Sequence, residues 1–276
     1  MAAQSAIRDP QSAIVKCLVL AAGMSTRLHG VSGGAPKPLT PIGGEPVLKR
    51  NLRWLASHGI TETFINLHYR GAEIKAAIGD GSGLGIHASY SEEVSLLGTA
   101  GAAKKLEREL SGGPFLIVYG DNVFNFDLSH MVAEHFSQRP PRSGTIAIFD
   151  PKTHPHTGIA GGGPVVDGSG RITAFREGSG QPLQFVNAAC YVLEEDVLQF
   201  VPPLPQPSDW ARDVFPALLN AGKHLYAHVI DGYCLGIDTP EAYRRAEEIL
   251  RLSGIGGSVQ ANPHAGENQP KHNDRK

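Results

Sequence analysis

Two cations, Arg27 and Lys37, occupy a glycine-containing loop that directly follows an apolar segment, within residues 19–40, VLAAGMSTRLHGVSGGAPKPLT. Backbone N–H groups in a turn without bulky side chains can approach phosphate oxygens closely, and a guanidinium and an ammonium neutralise phosphate charge. Prolines on both sides of Lys37 stiffen its part of the loop. The loop therefore predicts chemistry on a phosphate compound; the alternative is a pair of solvated loop cations.

The glycines of this loop follow neither of the two commonest nucleotide-binding patterns. A P-loop carries lysine and then Ser or Thr directly after its second glycine, whereas here Gly23 is followed by Met24, Ser25, Thr26 and Arg27, and the lysine comes later. A dinucleotide-binding turn needs GxGxxG, which Ser25 already breaks. A different kind of phosphate site is therefore predicted.

A carboxylate, Asp121, follows the apolar run 115–119 through Gly120. The end of a parallel strand is where α/β sheets bind ligands, and hard cations prefer oxygen ligands. Asp121 is therefore a candidate metal ligand. The alternative is a turn-forming aspartate paired with Asn122.

Composition limits the class of protein. With 276 residues, 41% of them hydrophobic, the chain can bury a large core, and its net charge of −2 provides no basic field for nucleic acid or an anionic membrane. No apolar run approaches the roughly 20 residues that span a bilayer, and residues 1–14 lack the apolar region of a signal peptide. We expect a cytoplasmic protein with a small-molecule partner, no nucleic-acid or membrane partner, and cysteines at positions 17, 190 and 234 that are reduced and packed in the core.

Strand and helix patterns alternate in the first half of the chain. Strands are predicted at residues 17–21, 64–67 and 115–119, and helices at 47–57, 72–78 and 100–110. This order predicts an α/β fold, a Rossmann-like three-layer sandwich with a mostly parallel central sheet. Because crossovers are right-handed, the loops that carry Arg27, Lys37 and Asp121 should meet at one edge of that sheet.

The pattern changes near residue 143. Short strands at 145–149, 163–166, 171–175 and 185–193, separated by glycine-rich turns, predict a smaller mixed or antiparallel portion. A helix near 211–220, two strands within 225–237 and an amphipathic helix at 240–252 follow. We expect a flexible extension at residues 1–13, one domain at 14–253 and a disordered polar tail at 254–276.

The loop at residues 19–40 resembles the signature of sugar-1-phosphate nucleotidyltransferases, an apolar residue and AAGxGTRL followed by PKPL, with Ser25 in place of the second glycine. Further motifs continue the resemblance in the family's order, at residues 98–101, 119–122, 175–177, 185–188 and 238–243. Over residues 15–252 the chain is identified as a member, in the short form that lacks the hexapeptide-repeat domain of some larger relatives.

The resemblance implies a reaction and a set of roles. In this family an oxygen of a sugar 1-phosphate attacks the α-phosphate of a nucleoside triphosphate and displaces pyrophosphate in one in-line step, with Mg²⁺ bridging the phosphates. Arg27 then grips the β- and γ-phosphates, Lys37 contacts the α-phosphate and Asp121 binds Mg²⁺. The resemblance also implies that the smaller portion, around residues 143–193, binds the sugar.

The second metal carboxylate departs from the family pattern. Gly236 stands where relatives have an aspartate, and Asp238 follows two residues later. On an extended segment a two-residue displacement keeps the same face, so Asp238 could still reach the metal. Asp238 could equally cap the helix that begins near Pro240.

The sugar-phosphate residues show a second departure. The resemblance assigns Glu177 and Asn187 to sugar hydroxyls and Asn122 to the sugar phosphate, but Gly178 replaces the lysine that usually binds that phosphate. Since residues 176 and 178 of a strand face the same side, we expect Arg176 to supply the cation. An ion pair of Arg176 with Glu177 or another neighbour is the alternative.

Nucleotide-binding positions are implied at the backbone of the first loop and in the segment before and after residue 98. They are Leu20, Ala21, Ala22, Gly23, Met24, Ser25 and Thr26, then Glu92, Glu93, Gly98 and Thr99. A carboxylate of Glu92 or Glu93 could accept from the ring N–H and amino group of guanine together, whereas uracil offers one donor on that edge. GTP is therefore the preferred nucleotide, and solvated loop charges are the alternative.

Two other functions stay open at this point. One is transfer of a cytidylyl group to phosphocholine, and the other is a non-catalytic regulatory paralogue that binds a nucleotide sugar, as Gly178 and Gly236 could indicate. The sequence is also compatible with a homo-oligomer.

Overall fold

The computed structural model of the chain describes residues 16–23, 35–137, 141–158, 162–176 and 184–254. The strands are β1 Lys16–Leu20, β2 Pro41–Ile42, β3 Glu45–Pro46, β4 Glu62–Leu67, β5 His87–Glu92, β6 Phe115–Tyr119, β7 Asn122–Asn125, β8 Gly144–Phe149, β9 Gly163–Val166, β10 Ile172–Arg176, β11 Val186–Leu193, β12 Leu225–Val229 and β13 Tyr233–Gly236. The helices are α1 Val47–Ser57, α2 Gly71–Ile78, α3 Gly98–Lys105, α4 Glu107–Leu110, α5 Leu128–Ser137, α6 Phe215–Asn220 and α7 Pro240–Leu252. Shorter 3₁₀ turns cover Lys37–Leu39, Ser82–Leu84 and Glu195–Phe200, and a π-helical turn covers Trp210–Val214.

A seven-stranded sheet in the order β12-β8-β11-β6-β1-β4-β5 forms the centre of the described region. All of its neighbouring strands pair in parallel except at β11, which is antiparallel to both β6 and β8. The prediction of a mostly parallel α/β sheet is therefore confirmed.

Strand β1 shows why the sheet is covered on both faces. Its side chains alternate between two hydrophobic clusters: Cys17 and Val19 pack in the cluster that includes α1 and α5, and Leu18 and Leu20 in the one that includes α3 and α6. Successive side chains of a strand point to opposite faces, so an unbroken apolar run requires an apolar layer on each side. The result is the predicted three-layer sandwich.

The predicted mixed portion is present, but most of it belongs to the central sheet. Strands β8, β11 and β12 extend that sheet beyond β6, and only the antiparallel pair β9–β10 stands apart among the strands predicted there. Every residue of β8 is buried, which suits a strand inside a large sheet better than one in a small exposed one.

The structure has two helices where the sequence predicted one. The helix predicted at residues 100–110 breaks at Leu106 into α3 and α4. Lys104 and Lys105 close the first, and Glu107 and Glu109 open the second. Cations favour a helix C-terminus and anions an N-terminus, so the charge order accounts for the break.

Other predictions are confirmed with small shifts of boundary. Helices α1 and α7 match their predicted ranges, and α7 packs Ala246 and Leu250 into a third cluster with Tyr243 against it. The cysteines at 17, 190 and 234 are buried and free. In the described ranges no helix has the length and apolar character to cross a bilayer.

Candidate active site

The ammonium of Lys37 lies between two carboxylates at the edge of the central sheet. Its Nζ donates to Asp121 Oδ2 at 2.6 Å and to Asp238 Oδ1 at 2.7 Å. The Lys37 side chain is 9% exposed, and the two carboxylates are 33% and 30% exposed. A buried cation thus faces two acids that solvent still reaches.

Three separate elements position these groups. Asp121 follows β6 through Gly120, whose N–H donates to the Leu20 carbonyl at 2.8 Å, and a Cβ at Gly120 would lie 2.9 Å from that oxygen. Strand β13 pairs with β7 so that Gly236 faces Asn122, which places the segment after β13 beside the end of β6. Lys37 begins a 3₁₀ turn and has a proline on each side of it, Pro36 before the turn and Pro38 within it. The sheet edge therefore collects residues that are distant in the chain, as predicted for Lys37 and Asp121.

Electrostatics favour the charged form of Lys37. Burial alone would lower the pKa of its ammonium, but the charges of Asp121 and Asp238 and their hydrogen bonds outweigh burial, and the pKa is raised above its ordinary value. Lys37 therefore stays a cation at neutral pH.

Asp238 does not cap α7. The cap is Thr239, whose side chain accepts from the Ala242 N–H at 3.1 Å. The capping alternative for Asp238 is therefore wrong, because its carboxylate is turned to Lys37 instead.

A cavity of about 290 Å³ opens beside the two carboxylates. Asp121, Asp238, Asn122 and Asn187, all candidates from the sequence, contribute to its lining. The other lining residues are Tyr119, Phe149, His156, Thr157, Gly162, Val186, Ala189, Asp209, Ala211 and Cys234. The cavity places acids, amides and an aromatic wall next to one buried cation.

Hydrogen bonds to neighbouring side chains position two of the polar cavity residues, Asn187 and Asp209. Asn187 Nδ2 donates to the Tyr191 hydroxyl at 2.8 Å, and the Tyr191 ring packs edge-on against Tyr119 with ring centroids 5.9 Å apart. Asp209 Oδ2 accepts from the Thr99 hydroxyl on α3 at 2.6 Å. Burial and then the charge of Asp209 raise the pKa of Tyr119. Its hydroxyl therefore stays protonated and can donate.

Gly98 and Thr99 join α3 to the segment before α6. Gly98 has φ +76°, and a Cβ there would lie 2.3 Å from the Ser208 carbonyl oxygen. The same oxygen accepts from Ala100 N at 3.0 Å, and Trp210 N donates to the Thr99 hydroxyl at 3.1 Å. These contacts give both motif residues a part in positioning Asp209.

The two glutamates suggested for guanine have different surroundings. Glu92 is exposed and pairs with Lys75. Glu93 is buried; its Oε1 accepts from Asn66 Nδ2 at 2.7 Å and its Oε2 from Leu97 N at 2.9 Å. Neither lines the cavity.

Asn66 links Glu93 to the first loop. Its Oδ1 accepts from the Ala21 N–H at 2.7 Å while its amide group donates to Glu93. Ala21 and Ala22 are buried and Gly23 is exposed at the start of that loop. Glu93 therefore holds together the two chain segments that are predicted to meet the nucleotide.

Arg176 ends β10 on the surface, paired in register with Gly163, next to the cavity residue Gly162. No described carboxylate lies within ion-pair distance of it. Met24, Ser25, Thr26, Arg27 and Glu177 lie outside the described residues, so their predicted roles stay predictions.

Sequence reasoning missed His156, Asp209 and Tyr119 as cavity residues. Asp209 caps the π-helical turn by accepting from Ala211 N and Arg212 N, and its type and place before an apolar run are a visible capping signal. His156 lies in a loop without periodicity. No local pattern distinguished it from a solvated histidine.

The model of the nucleotidyl transferase family matches residues 16–251, and the chain belongs to that family. Among curated proteins, a mannose-1-phosphate guanylyltransferase of Mycobacterium tuberculosis is 32% identical over 92% of this chain and 69% of its own length. A UTP–glucose-1-phosphate uridylyltransferase of Synechocystis is 30% identical over 79% of this chain and 58% of its own length. A D-glycero-alpha-D-manno-heptose 1-phosphate guanylyltransferase of Aneurinibacillus thermoaerophilus is 27% identical over 86% of this chain and 99% of its own length.

Solved structures agree on the fold. A Bacillus anthracis structure with bound sucrose has a TM-score of 0.75 at 19% identity and covers 87% of this chain and 96% of its own. HddC of Yersinia pseudotuberculosis in complex with GMP-PN has a TM-score of 0.70 at 22% identity and covers 86% of this chain and 99% of its own. The nucleotidyltransferase fold is therefore shared by this chain.

Proposed function

We propose that the protein transfers a nucleotidyl group, with GTP preferred, to a sugar 1-phosphate and releases pyrophosphate. The observation that carries this proposal is the Lys37 ammonium held between Asp121 and Asp238 beside the cavity, in a chain of the nucleotidyl transferase family. Two phosphoryl compounds repel each other, so a catalyst of this reaction needs a fixed cation where they meet.

Asp121 and Asp238 suit a magnesium ion. Their oxygens already converge on one cation, the Lys37 ammonium, and carboxylate oxygens are the ligands that Mg²⁺ prefers. No described group of three or more His, Cys, Asp or Glu side chains could hold a metal, so we expect phosphate oxygens and water to complete the ligand set. When bound, Mg²⁺ would neutralise phosphate charge.

Among the described residues, Lys37 is the one that would contribute most directly to catalysis of nucleotidyl transfer. Its ammonium has donors that can turn from the carboxylates to an α-phosphate oxygen, and its charge then stabilises the negative charge that develops during in-line displacement. Arg27, ten residues earlier, is proposed to hold the β- and γ-phosphates. No protein nucleophile is needed.

Sugar binding is proposed for the amide side of the cavity. Asn187 and Asn122 line it, and Asn187 is held by its bonds to Tyr191 and to the Ala189 N–H. A rigid amide can read sugar hydroxyls, because a wrong hydroxyl pattern leaves its remaining N–H and its remaining lone pair without a partner. Glu177 and Arg176 remain proposed partners of the sugar and its phosphate.

The GTP preference now has support that is independent of Glu92 and Glu93. Two of the named relatives are guanylyltransferases, while a third is a uridylyltransferase. The bonds of Glu93 to Asn66 and Leu97 favour a role in shaping the nucleotide loop.

A pyrophosphate-release matrix tests the proposal. Four nucleoside triphosphates are combined with mannose 1-phosphate, glucose 1-phosphate and phosphocholine in the presence of Mg²⁺. We expect release with GTP and a sugar 1-phosphate, matched by formation of a nucleoside-diphosphate sugar. Turnover only with CTP and phosphocholine would show that the acceptor is phosphocholine and not a sugar 1-phosphate. Binding of a nucleotide sugar without any turnover would favour the regulatory alternative.

A further inference from the structure

His156 lines the cavity and has no role in the reaction described so far. It lies in the loop between β8 and β9, which is anchored on both sides of it. His154 Nε2 contacts the Ile230 carbonyl at 2.8 Å, and the buried Thr157 hydroxyl donates to the Gly236 carbonyl at 2.8 Å. His156 is therefore held at a fixed place near the strand that leads to Asp238.

The hydrogen bonds of His156 determine its tautomer. The Gly158 N–H donates to His156 Nδ1 at 3.0 Å. A backbone N–H can only donate, so Nδ1 carries no proton and the neutral ring carries its proton on Nε2. Nε2 has no hydrogen-bond partner among the described residues. One N–H donor is thus available to a molecule in the cavity.

The ring of His156 also has a defined orientation. It stacks on Phe149, with ring centroids 6.3 Å apart and planes inclined by 26°. Phe149 ends β8 and is 4% exposed, so the core fixes this platform. The stack and the Gly158 bond together limit rotation of the imidazole, which reduces the entropy lost when it binds a ligand.

We propose that His156 determines sugar specificity: its Nε2–H donates a hydrogen bond to one hydroxyl oxygen of the sugar 1-phosphate. This proposal rests on the proposed function. The neutral ring suits an uncharged hydroxyl, since an imidazolium would place a proton on Nδ1 opposite the Gly158 N–H. The charge of the sugar phosphate is assigned to Arg176, which ends β10 next to the cavity residue Gly162.

The test compares four proteins: wild type, His156→Phe, His156→Gln and His87→Phe. Phenylalanine keeps the ring stack and removes both nitrogens, glutamine keeps a donor near the Nε2 position, and His87 is an exposed histidine on β5 outside the cavity. Calorimetry and steady-state kinetics use mannose 1-phosphate, glucose 1-phosphate and their single-deoxy analogues. For the better sugar phosphate, His156→Phe should raise KM and Kd about tenfold, with kcat and the KM for GTP nearly unchanged.

His156→Gln should recover most of the affinity, and His87→Phe should behave as wild type. One deoxy analogue should bind wild type about tenfold more weakly and should lose nothing more in His156→Phe. Two results would overturn the role of His156 and leave the proposed function standing. One is unchanged sugar-phosphate affinity in His156→Phe, and the other is an equal additional loss of affinity in His156→Phe for every deoxy analogue. Wild type that bound neither sugar phosphate would overturn the proposed function together with the role of His156. His156→Ala gives the same comparison if His156→Phe does not fold.

Discussion

Asp238 reaches the Lys37 ammonium from the segment after β13. It lies two residues beyond Gly236, yet it meets Lys37 at 2.7 Å opposite Asp121. The neighbouring Thr239 performs the capping function that Asp238 could have had. These adjacent residues therefore have different contacts: Asp238 accepts from the Lys37 ammonium, and Thr239 caps α7.

Substitution of these neighbours should give opposite results. Asp238→Asn keeps the shape and removes the charge, so kcat/KM should fall at least about tenfold and half-saturation by Mg²⁺ should need a higher concentration. Thr239→Ala should lower the free energy of unfolding by about 0.5–2 kcal/mol and leave the Mg²⁺ dependence unchanged. Kinetics across a Mg²⁺ titration and denaturant melts measure both. An unchanged Mg²⁺ requirement in Asp238→Asn would exclude its metal role.

At the scale of elements, buried polar contacts join segments that the motifs leave separate. Glu93 ties the loop before α3 to Asn66 on β4, and Asn66 ties β4 to Ala21 after β1. Both oxygens of Glu93 accept from N–H donors. The NH₂ group of a glutamine at this position would therefore face one of these N–H donors without an acceptor.

Glu93→Gln should therefore reduce kcat/KM for all four nucleoside triphosphates by a similar factor, about tenfold. The exposed Glu92→Gln serves as the matched control and should have little effect. A loss confined to GTP would instead indicate that Glu93 reads guanine directly. Parallel kinetics with GTP, UTP, CTP and ATP distinguish these outcomes.

The junction of α3 with the segment before α6 depends on a close backbone approach at Gly98. Gly98 and Gly44 have similar φ values, +76° and +84°, but a Cβ at Gly98 would collide with the Ser208 carbonyl while one at Gly44 would meet nothing within 4 Å. Both alanine variants carry the backbone strain of about 1–3 kcal/mol, and Gly98→Ala adds the collision. Urea unfolding should show a clearly larger loss for Gly98→Ala. Equal losses of unfolding free energy in Gly98→Ala and Gly44→Ala would mean that the backbone at the Gly98 junction can shift without loss of stability.

At the scale of the whole molecule, the sequence predicted what local patterns determine. The apolar runs of β1 and β6 and the periodicity of α1 and α7 predicted the layers, and Asp121 could be placed because parallel strands end at one edge. The two-sided contact of Lys37 could not be predicted, since Asp238 lies 201 residues away in the chain. The same holds for Glu93, whose surroundings depend on strand order.

Loops and merged strands account for the rest of the differences. The sequence predicted a separate portion after residue 143 because short strands and glycine-rich turns are visible locally. The pairing of β11 with β6, which joins these strands to the central sheet, is not a local feature and could not be predicted. The segment around His156 has neither periodicity nor a capping pattern, and only the fold brings His156 to the same cavity as Asn187.

The role proposed for Lys37 is tested by the rate of pyrophosphate release by Lys37→Met, with Lys152→Met as the control. Lys152 is an exposed lysine in the loop after β8 and does not line the cavity. With the substrates that the wild type uses fastest, Lys37→Met should be at least about a hundredfold slower while its circular dichroism is unchanged, because no other described cation lies between Asp121 and Asp238. Lys152→Met should match wild type. A folded Lys37→Met that releases pyrophosphate at nearly the wild-type rate would contradict a catalytic role for this ammonium.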